Sequence, residues 1–469
     1  MAGPVAGHDV RGRGACLHLT VGTRRGKTAK SNLDPHVDTD PSISELLAAR
    51  PHLAMHAMDG LMLEGVPLNA IADGLGTPTW VYAAPTVRCR LETLRAAISE
   101  TGLGAHIHYA VKANDHIAIL HLLGRLGAGA DVVSEGELRR ALTAGIPASR
   151  IVFSGTGKTP DELRLALTED IAQINVESAE ELEALSAIAA SMGCTARIAL
   201  RINPDVDAGT HPKITTGRAQ DKFGIPYADA TGLYSRAASL PGIRPVGLAA
   251  HIGSQVLSLA PYRAAFGRLA HIVRELRATG LPVETVDCGG GLGIPYRNET
   301  AVTPSALAGA LRAAFHDLDV RLILEPGRWI VGPAGVLLGS VVLVKQERFV
   351  VLDAGMNDLV RPAMYNAWHG IVPIFATDAA RPAIAAAVVG PVCETSDTFA
   401  RNRLLPPLAP GARVAILDVG AYGAVMSSTY NARPFAAAAM VDQGTWTTIR
   451  PRQSVAELWR DECIPEAFA

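Results

Sequence analysis

The stretch ADVVSEGELRRALTAGIPASRIVFSG, residues 130–155, contains one full repeat of the pattern that decides the fold. Its apolar run ADVVS is followed by the helical pattern GELRRALTAG, from Gly136, and then by a second apolar run, IVFSG, from Ile151. Short β-rich runs that alternate with helical patterns predict βα units and a parallel sheet. The same alternation extends from His106 to Arg328.

Eight such runs are present, and they begin at Ile107, Ala130, Ile151, Ile171, Arg197, Gly247, Thr285 and Arg321. Eight parallel strands with helices between them are typical of a (β/α)8 barrel. Nearly every run ends in polar or glycine residues, and the carboxyl ends of barrel strands are where this fold places its chemistry. The sequence therefore predicts an α/β fold with a TIM-like barrel and one active-site mouth.

The rest of the chain has a different pattern. After Arg328, strand-like apolar runs separated by turns predict a second, β-rich C-terminal domain, and the earlier runs LMLEGVPL and TPTWVYA are expected to add N-terminal strands to it. We expect four segments: a disordered basic extension over residues 1–45, N-terminal strands over 46–84, the barrel over 85–328 and the β domain over 329–469. The extension has six Lys or Arg and no acidic residue between Arg11 and Lys30, and it lacks the apolar core of a secretory signal.

Composition narrows the possible functions. The chain has 469 residues with 43 basic and 45 acidic side chains, a net charge of −2, so no nucleic-acid surface is predicted. The longest nearly unbroken apolar run, Ile330 to Val344, is shorter than the ~18 residues of a membrane span, so no membrane association is expected. Six scattered cysteines form no CxxC pair or metal-ligand spacing. We therefore expect no disulfide framework, no metal and a reducing, cytoplasmic location.

Two features at strand ends are candidates for chemistry. Lys112 ends the apolar run of HYAVKAN, where a lysine either extends to solvent or loses its charge in apolar surroundings and acts as a Schiff-base amine. Gly289, Gly290 and Gly291 follow the seventh run, where they form either a tight connection or an anion-binding loop.

Two further strand ends combine charged and polar groups. Glu325 and Arg328, in EPGR, form either a surface ion pair or a carboxylate for a cofactor ring nitrogen beside an arginine for a carboxylate or phosphate. His251, in HIGSQ, is either a hydrogen-bonded core histidine or an imidazole packed on a planar ring, with Ser254 as a donor to phosphate.

Nine motifs occur in a specific order between about Leu61 and Pro434: HYAVKAN, GADVVS, INPDVDAGTHPKITTG followed by KFGI, HIGSQ, CGGGLGI, EPGR, GMNDLVRPAMYNAWH, GPVCETSDTFA and GAYGAVMSSTYNARP. In this series the chain resembles the diaminopimelate decarboxylase family. That family belongs to the pyridoxal-phosphate enzymes with an alanine-racemase-like barrel, together with ornithine and arginine decarboxylases.

The resemblance implies pyridoxal 5'-phosphate as cofactor and decarboxylation of meso-2,6-diaminopimelate to L-lysine and CO2, the last step of lysine biosynthesis, through an aldimine and a quinonoid intermediate. It implies that Lys112 forms the internal aldimine and that Cys393 is the proton donor. The other cofactor-binding residues that it implies are His251, Ser254, Gly289, Gly290, Gly291, Glu325, Pro326, Gly327, Arg328 and Tyr422. The substrate-binding residues that it implies are Arg328, Arg361, Tyr365, Glu394 and Tyr422.

The resemblance also implies a homodimer in which Cys393 and Glu394 reach the active site of the partner subunit. Two alternatives stay open: a related pyridoxal-phosphate decarboxylase that acts on another amino acid, and a catalytically inactive homologue. Arg361 and Tyr365, in RPAMY, favour a substrate with a second carboxylate over ornithine or arginine.

Overall fold

The computed structural model describes residues 40–468, apart from residues 215, 219 and 220. The strands are β1 (Leu53–His56), β2 (Gly60–Leu63), β3 (Val66–Pro67), β4 (Thr79–Ala83), β5 (Ala105–Ala110), β6 (Gly129–Val132), β7 (Ile151–Phe153), β8 (Gln173–Val176), β9 (Ala196–Asn203), β10 (Ile225–Pro226), β11 (Ile243–Ala249), β12 (Thr285–Asp287), β13 (Arg321–Leu324), β14 (Gly335–Lys345), β15 (Phe349–Leu352), β16 (Ile371–Pro373), β17 (Ile384–Val389), β18 (Thr398–Leu405), β19 (Arg413–Ile416), β20 (Ala437–Asp442) and β21 (Thr445–Arg450).

The helices are α1 (Ile43–Ala48), α2 (Leu68–Leu75), α3 (Ala84–Ser99), α4 (Ile117–Arg125), α5 (Glu135–Thr143), α6 (Pro160–Thr168), α7 (Ala179–Met192), α8 (Ala230–Ser239), α9 (Leu259–Ala278), α10 (Pro304–Phe315), α11 (Arg328–Val331), α12 (Arg361–Tyr365) and α13 (Ala376–Ala379). Among the described residues, no helix is both long and apolar enough to cross a membrane.

The central part of the chain is a closed parallel barrel. Its strands follow the order β5, β6, β7, β8, β9, β11, β12, β13, and β13 pairs with β5 to close the ring. The two-residue strand β10 adds to β9 outside the ring. Each of the eight predicted apolar runs overlaps one barrel strand, so the predicted TIM-like barrel is confirmed.

Side-chain caps fix where the barrel helices begin. Ser134 caps α5 by accepting a hydrogen bond from the backbone N–H of Glu137, and Ser178 caps α7 in the same way from Glu181. The Glu181 carboxylate accepts from the backbone N–H of Glu177 and from Lys158 Nζ. These caps place each helix start directly after a strand, so the polar strand ends stay at the mouth of the barrel.

The second domain is a β structure built mainly after the barrel. Its strands follow the order β18, β17, β15, β14, β4, β20, β21, and β19 pairs with both β14 and β16. Because β4 lies between β14 and β20, the predicted contribution of an N-terminal strand is confirmed. Strands β1, β2 and β3 form a separate three-stranded sheet, tied to the domain by the hydrogen bond from Leu61 N–H to the Ile374 carbonyl.

The structure differs from the predicted extension at residues 40–45. Ser42 and Glu45 form a capping box that starts α1, and Leu46 of this helix is buried in the core against the sheet of the β domain. Basic composition alone places the boundary too late, because the capping signal lies at its end. The part of the predicted extension before residue 40 lies outside the described residues, and the domain boundaries stay a prediction.

Candidate active site

A cavity of about 600 Å³ opens at the carboxyl ends of the barrel strands. Eight of the predicted site residues line it: Lys112, His251, Ser254, Glu325, Arg328, Arg361, Tyr365 and Tyr422. The elements that carry them are far apart in sequence, and the closed barrel together with the loops of the β domain brings them together. This size suits a small-molecule site.

Lys112 lies in a short turn directly after β5, and its side chain is 32% exposed toward the cavity. Its Nζ donates to Oδ2 of the fully buried Asp131 at 2.7 Å. Burial acts to lower the pKa of Lys112, but the carboxylates of Asp131 and Glu325 outweigh it, so the net pKa is raised. Lys112 therefore has a buried carboxylate beside it, and its role as a Schiff-base amine stays a prediction.

Glu325 follows β13 at the floor of the cavity and is 5% exposed. Ser154 Oγ donates to it at 3.3 Å, and Asp287 of β12 shares a hydrogen bond with it. Burial, together with Asp131 and Asp287, raises the pKa of Glu325 well above its usual range. A proton can therefore reside at Glu325, where a basic ring nitrogen would pair with it.

His251 is half-buried at the cavity, and desolvation together with the nearby Lys112 holds its pKa well below the ordinary value, which favours the neutral ring. Its Nδ1 accepts the backbone N–H of Gly290 at 3.2 Å, which leaves the ring proton on Nε2. A Cβ at Gly290 would lie 2.0 Å from the Glu325 carbonyl oxygen, so only glycine permits this approach.

Five of the predicted cofactor-binding residues do not line the cavity: Gly289, Gly290, Gly291, Pro326 and Gly327. Their contact with a cofactor stays a prediction.

Arg328 begins α11 and is buried without a carboxylate partner among the described residues. It donates to Ser254 Oγ at 3.0 Å and to the Tyr296 hydroxyl at 2.6 Å, and its guanidinium lies 4.9 Å from the centre of the Tyr422 ring. Its Nε has no hydrogen-bond partner in the described part of the chain. These contacts leave a positive charge free to bind an anion.

Arg361 begins α12 and is another buried arginine of the cavity. Its guanidinium packs 4.9 Å from the ring centre of Tyr296 and contacts His369. Tyr365, one turn further along α12, places its ring edge against His211 at a centroid distance of 5.9 Å. Arginine and tyrosine donors on one short helix suit a carboxylate.

Cys393 and Glu394 do not line this cavity. They lie on the exposed loop between β17 and β18, where the Cys393 backbone N–H donates to Asn431 Oδ1 at 3.0 Å. Ser396 and Tyr430 each donate to the Glu394 carboxylate at 2.8 Å, and these hydrogen bonds lower the pKa of Glu394. The loop is therefore exposed but well ordered by its own contacts.

Sequence reasoning missed the buried carboxylates Asp131 and Asp287, which lie within apolar runs. An acidic residue inside a buried strand is rare unless it is paired. The presence of an aspartate within each apolar run was therefore a signal for a buried polar contact. Asn175 Nδ2 donates to both Asp287 and Ser154 at 3.0 Å, so a polar network fills the barrel beneath Lys112 and Glu325.

The donor set fits pyridoxal phosphate. Lys112 can bind an aldehyde, Glu325 can pair with a ring nitrogen, His251 offers a ring face and Arg328 with Ser254 offers donors to an anionic group. The unpartnered Nε of Arg328 and the unpartnered Oδ1 of Asp131 are the buried polar atoms expected around a missing polar group. The fold and site thus define the class: a pyridoxal-phosphate enzyme built on a parallel barrel.

Comparisons with known proteins agree and are more specific. The family described as "Pyridoxal-dependent decarboxylase, pyridoxal binding domain" matches residues 87–332. The diaminopimelate decarboxylase of Zymomonas mobilis is 47% identical over 408 residues, 86% of this chain and 96% of that protein. The crystal structure of diaminopimelate decarboxylase from Helicobacter pylori complexed with L-lysine is 41% identical with a TM-score of 0.81, over 84% of this chain and 98% of that one. The M. jannaschii enzyme in co-complex with L-lysine is 35% identical with a TM-score of 0.85, over 90% and 100%. This chain belongs to the diaminopimelate decarboxylase family.

Proposed function

We propose that this protein decarboxylates meso-2,6-diaminopimelate to L-lysine and CO2 with pyridoxal 5'-phosphate as cofactor, the last step of lysine biosynthesis. The observation that carries the proposal is a pair of buried arginines, Arg328 and Arg361, with no carboxylate partner among the described residues, in the same cavity as Lys112 and Glu325. Two unpaired cations suit one anionic group of a cofactor and one further carboxylate of a substrate.

Each residue has a separate task in this proposal. Pyridoxal phosphate, when bound, withdraws the electron pair that stays on the substrate carbon after CO2 leaves. Lys112 holds the cofactor, Glu325 keeps a proton at the ring nitrogen and His251 covers a ring face and excludes water. Arg328, Ser254 and Tyr422, together with the glycine loop over residues 289–291, hold the phosphate.

The substrate is held at its far end. Arg361 and Tyr365 bind the second carboxylate, and Glu394 binds the distal ammonium. The thiol of Cys393 donates a proton to the carbon that has lost CO2, which completes the replacement of a carboxylate by hydrogen. Arg328 assists at a substrate carboxylate.

We further propose that the active protein is a homodimer, in which the loop of Cys393 and Glu394 completes the cavity of the partner subunit. In support, both residues are exposed and lie outside the cavity lining of their own chain, while their loop is fixed by Tyr430 and Asn431. Asp397 adds to this order, since its carboxylate accepts the backbone N–H groups of Val392 and Met356. The scattered cysteines support a cytoplasmic location.

The test of the reaction is release of CO2 from meso-diaminopimelate with and without added pyridoxal phosphate, compared with ornithine, arginine and lysine. We expect cofactor-dependent release from meso-diaminopimelate and little from the other three. Preference for one of the others would establish a related decarboxylase instead. A protein that binds the cofactor and releases no CO2 from any of them would be an inactive homologue.

A further inference from the structure

Arg361 is held in the cavity wall by a neutral group. It is 6% exposed, and its Nη1 lies 2.8 Å from Nε2 of His369. No ion pair to Arg361 is formed within the described part of the chain. A buried guanidinium without a carboxylate is costly unless other acceptors and ring faces surround it.

The protonation state of His369 follows from its two partners. Its Nδ1 lies 2.8 Å from the Leu417 carbonyl oxygen, which can only accept, so Nδ1 carries the proton. The guanidinium of Arg361 can only donate, so Nε2 is the unprotonated acceptor. Burial and the charge of Arg361 hold the pKa of His369 well below its ordinary value, in agreement with a neutral ring.

His369 is itself fixed from two more sides. Its ring meets the ring of Tyr296 edge-on at a centroid distance of 5.2 Å, and its backbone carbonyl accepts from Arg403 Nη1 at 2.7 Å. The side chain is 1% exposed and is not part of the cavity lining. His369 therefore acts on Arg361 and does not touch a ligand.

A nearby arginine shows the alternative arrangement. Arg50 is equally buried, but the carboxylate of Asp418 accepts from two of its nitrogens and compensates its charge. That charge is no longer available to a ligand. A neutral acceptor fixes the direction of the Arg361 guanidinium, which forms no ion pair among the described residues.

We propose that His369 is a positioning residue, which aims the guanidinium of Arg361 at a carboxylate of the substrate. This inference rests on the proposed function, because it assigns to Arg361 the second carboxylate of the substrate. Both diaminopimelate and its product L-lysine retain that carboxylate, whereas 1,5-diaminopentane has the two amines and no carboxylate.

The experiment compares the holoenzyme with two variants, His369→Leu and His369→Gln. Leucine removes the acceptor, whereas glutamine keeps a neutral acceptor oxygen near the position of Nε2. For His369→Leu we expect KM for meso-diaminopimelate to rise about tenfold and kcat to stay within about twofold, since a charged hydrogen bond of this kind contributes about that much. His369→Gln should recover most of the loss.

Binding measured by calorimetry supplies a readout independent of turnover. In His369→Leu the affinity for L-lysine should fall about tenfold and that for 1,5-diaminopentane should be unchanged. His271→Leu, on the exposed face of α9, is the control and should behave as wild type. Equal weakening of both ligands, unchanged KM in His369→Leu, or no advantage of glutamine over leucine would overturn the proposal.

Two additions to the experiment separate a variant that fails to fold, or a wrong proposed function, from a wrong role for His369. If His369→Leu does not fold, as judged by thermal unfolding, His369→Asn replaces it, because asparagine places its amide at Nδ1 and leaves Arg361 without an acceptor. A wild-type protein that releases no CO2 from meso-diaminopimelate would contradict the proposed function, while the contrast between L-lysine and 1,5-diaminopentane would still test His369.

Discussion

The barrel mouth and the loop between β17 and β18 each supply part of the proposed chemistry, and they differ in where their side chains lie relative to the cavity of their own chain. At the mouth, Ser154 holds Glu325, the backbone of Gly290 holds His251 and Asp131 holds Lys112, all within the same chain. On the loop, Cys393 and Glu394 are exposed and lie outside the cavity of their own chain. One chain thus brings its predicted cofactor-binding side chains to its own cavity, whereas Cys393 and Glu394 would act in the cavity of a second chain in the proposed homodimer.

The largest effect is expected at the mouth, from Lys112→Ala. Because Lys112 is the one lysine that lines the cavity in the described part of the chain, we expect CO2 release to fall by at least about 10⁴-fold. The measurement is CO2 release together with the absorbance of protein-bound cofactor, which should be lost as well. Lys345→Ala, at an exposed position of β14, is the control. Cofactor that stays covalently attached to the Lys112→Ala protein would show that Lys112 is not the attachment site.

The next effect separates the two regions, and it comes from Cys393→Ala. Loss of the proton donor should lower kcat by about 10²- to 10³-fold, the range of general acid catalysis, while cofactor absorbance stays unchanged. Cys89→Ala, another exposed free cysteine, is the matched control and should leave kcat unchanged. If Cys393→Ala also lost its bound cofactor, the loop would contribute to cofactor binding, and the mouth and the loop would not have separate roles.

A smaller effect tests the polar floor of the mouth through Asp131→Asn. Asp131 and Glu325 raise the pKa of Lys112 against the effect of burial, so removing one carboxylate should lower that pKa. The amine must be neutral to attack an aldehyde, so cofactor uptake by the cofactor-free protein should rise with pH, and in the variant it should rise at lower pH. At a fixed pH we expect about a tenfold gain in rate for each unit by which the pKa falls.

Stopped-flow measurement of cofactor absorbance across pH checks this expectation. Asp161→Asn, at an exposed position of α6, controls for the loss of a surface charge. An uptake profile that is the same in Asp131→Asn and wild type would contradict the assigned role of Asp131.

The smallest effect is expected on the loop, from Tyr430→Phe. This change removes the 2.8 Å hydrogen bond from the Tyr430 hydroxyl to Glu394, while Ser396 still donates. Because both partners are exposed, we expect KM for meso-diaminopimelate to rise only about threefold, with kcat unchanged. Steady-state kinetics with Tyr227→Phe as control measure it, and a fall in kcat without a change in KM would contradict this role.

Much of the barrel could be predicted because its signal is local. Each strand is a short apolar run that ends in a polar residue, and this pattern placed Lys112, His251 and Glu325 at one mouth. The β domain followed from the same kind of runs, and the position of β4 between β14 and β20 agrees with the prediction.

The rest depends on contacts that no local pattern contains. Asp131 and Asp287 lie in apolar runs, and only the closed ring shows that they meet beneath Glu325. The partner of Lys112 could not be predicted for the same reason, since Asp131 lies on the neighbouring strand β6. The contact between His369 and Arg361 could not be predicted either, because it depends on how the chain turns after α12.

The basic composition of the N-terminal segment led us to predict too long an extension before the folded part of the chain. Asp40 forms ion pairs with Arg297 and Arg403, and Arg50 forms a buried ion pair with Asp418, so this segment is tied to the wall of the active site. Its capping box, Ser42 with Glu45, was readable in the sequence, but the basic residues before it suggested a longer extension.

In the proposed homodimer each active site combines the mouth of one chain with the loop of another, and this arrangement can be tested by mixing two inactive variants. Lys112→Ala and Cys393→Ala are unfolded together, refolded at equal amounts and assayed for CO2 release from meso-diaminopimelate. Random pairing places one intact mouth beside one intact loop in half of the dimers, so we predict recovery of about a quarter of the wild-type activity. Activity no higher than that of the separate variants, in a sample whose dimers have mixed, would contradict the claim.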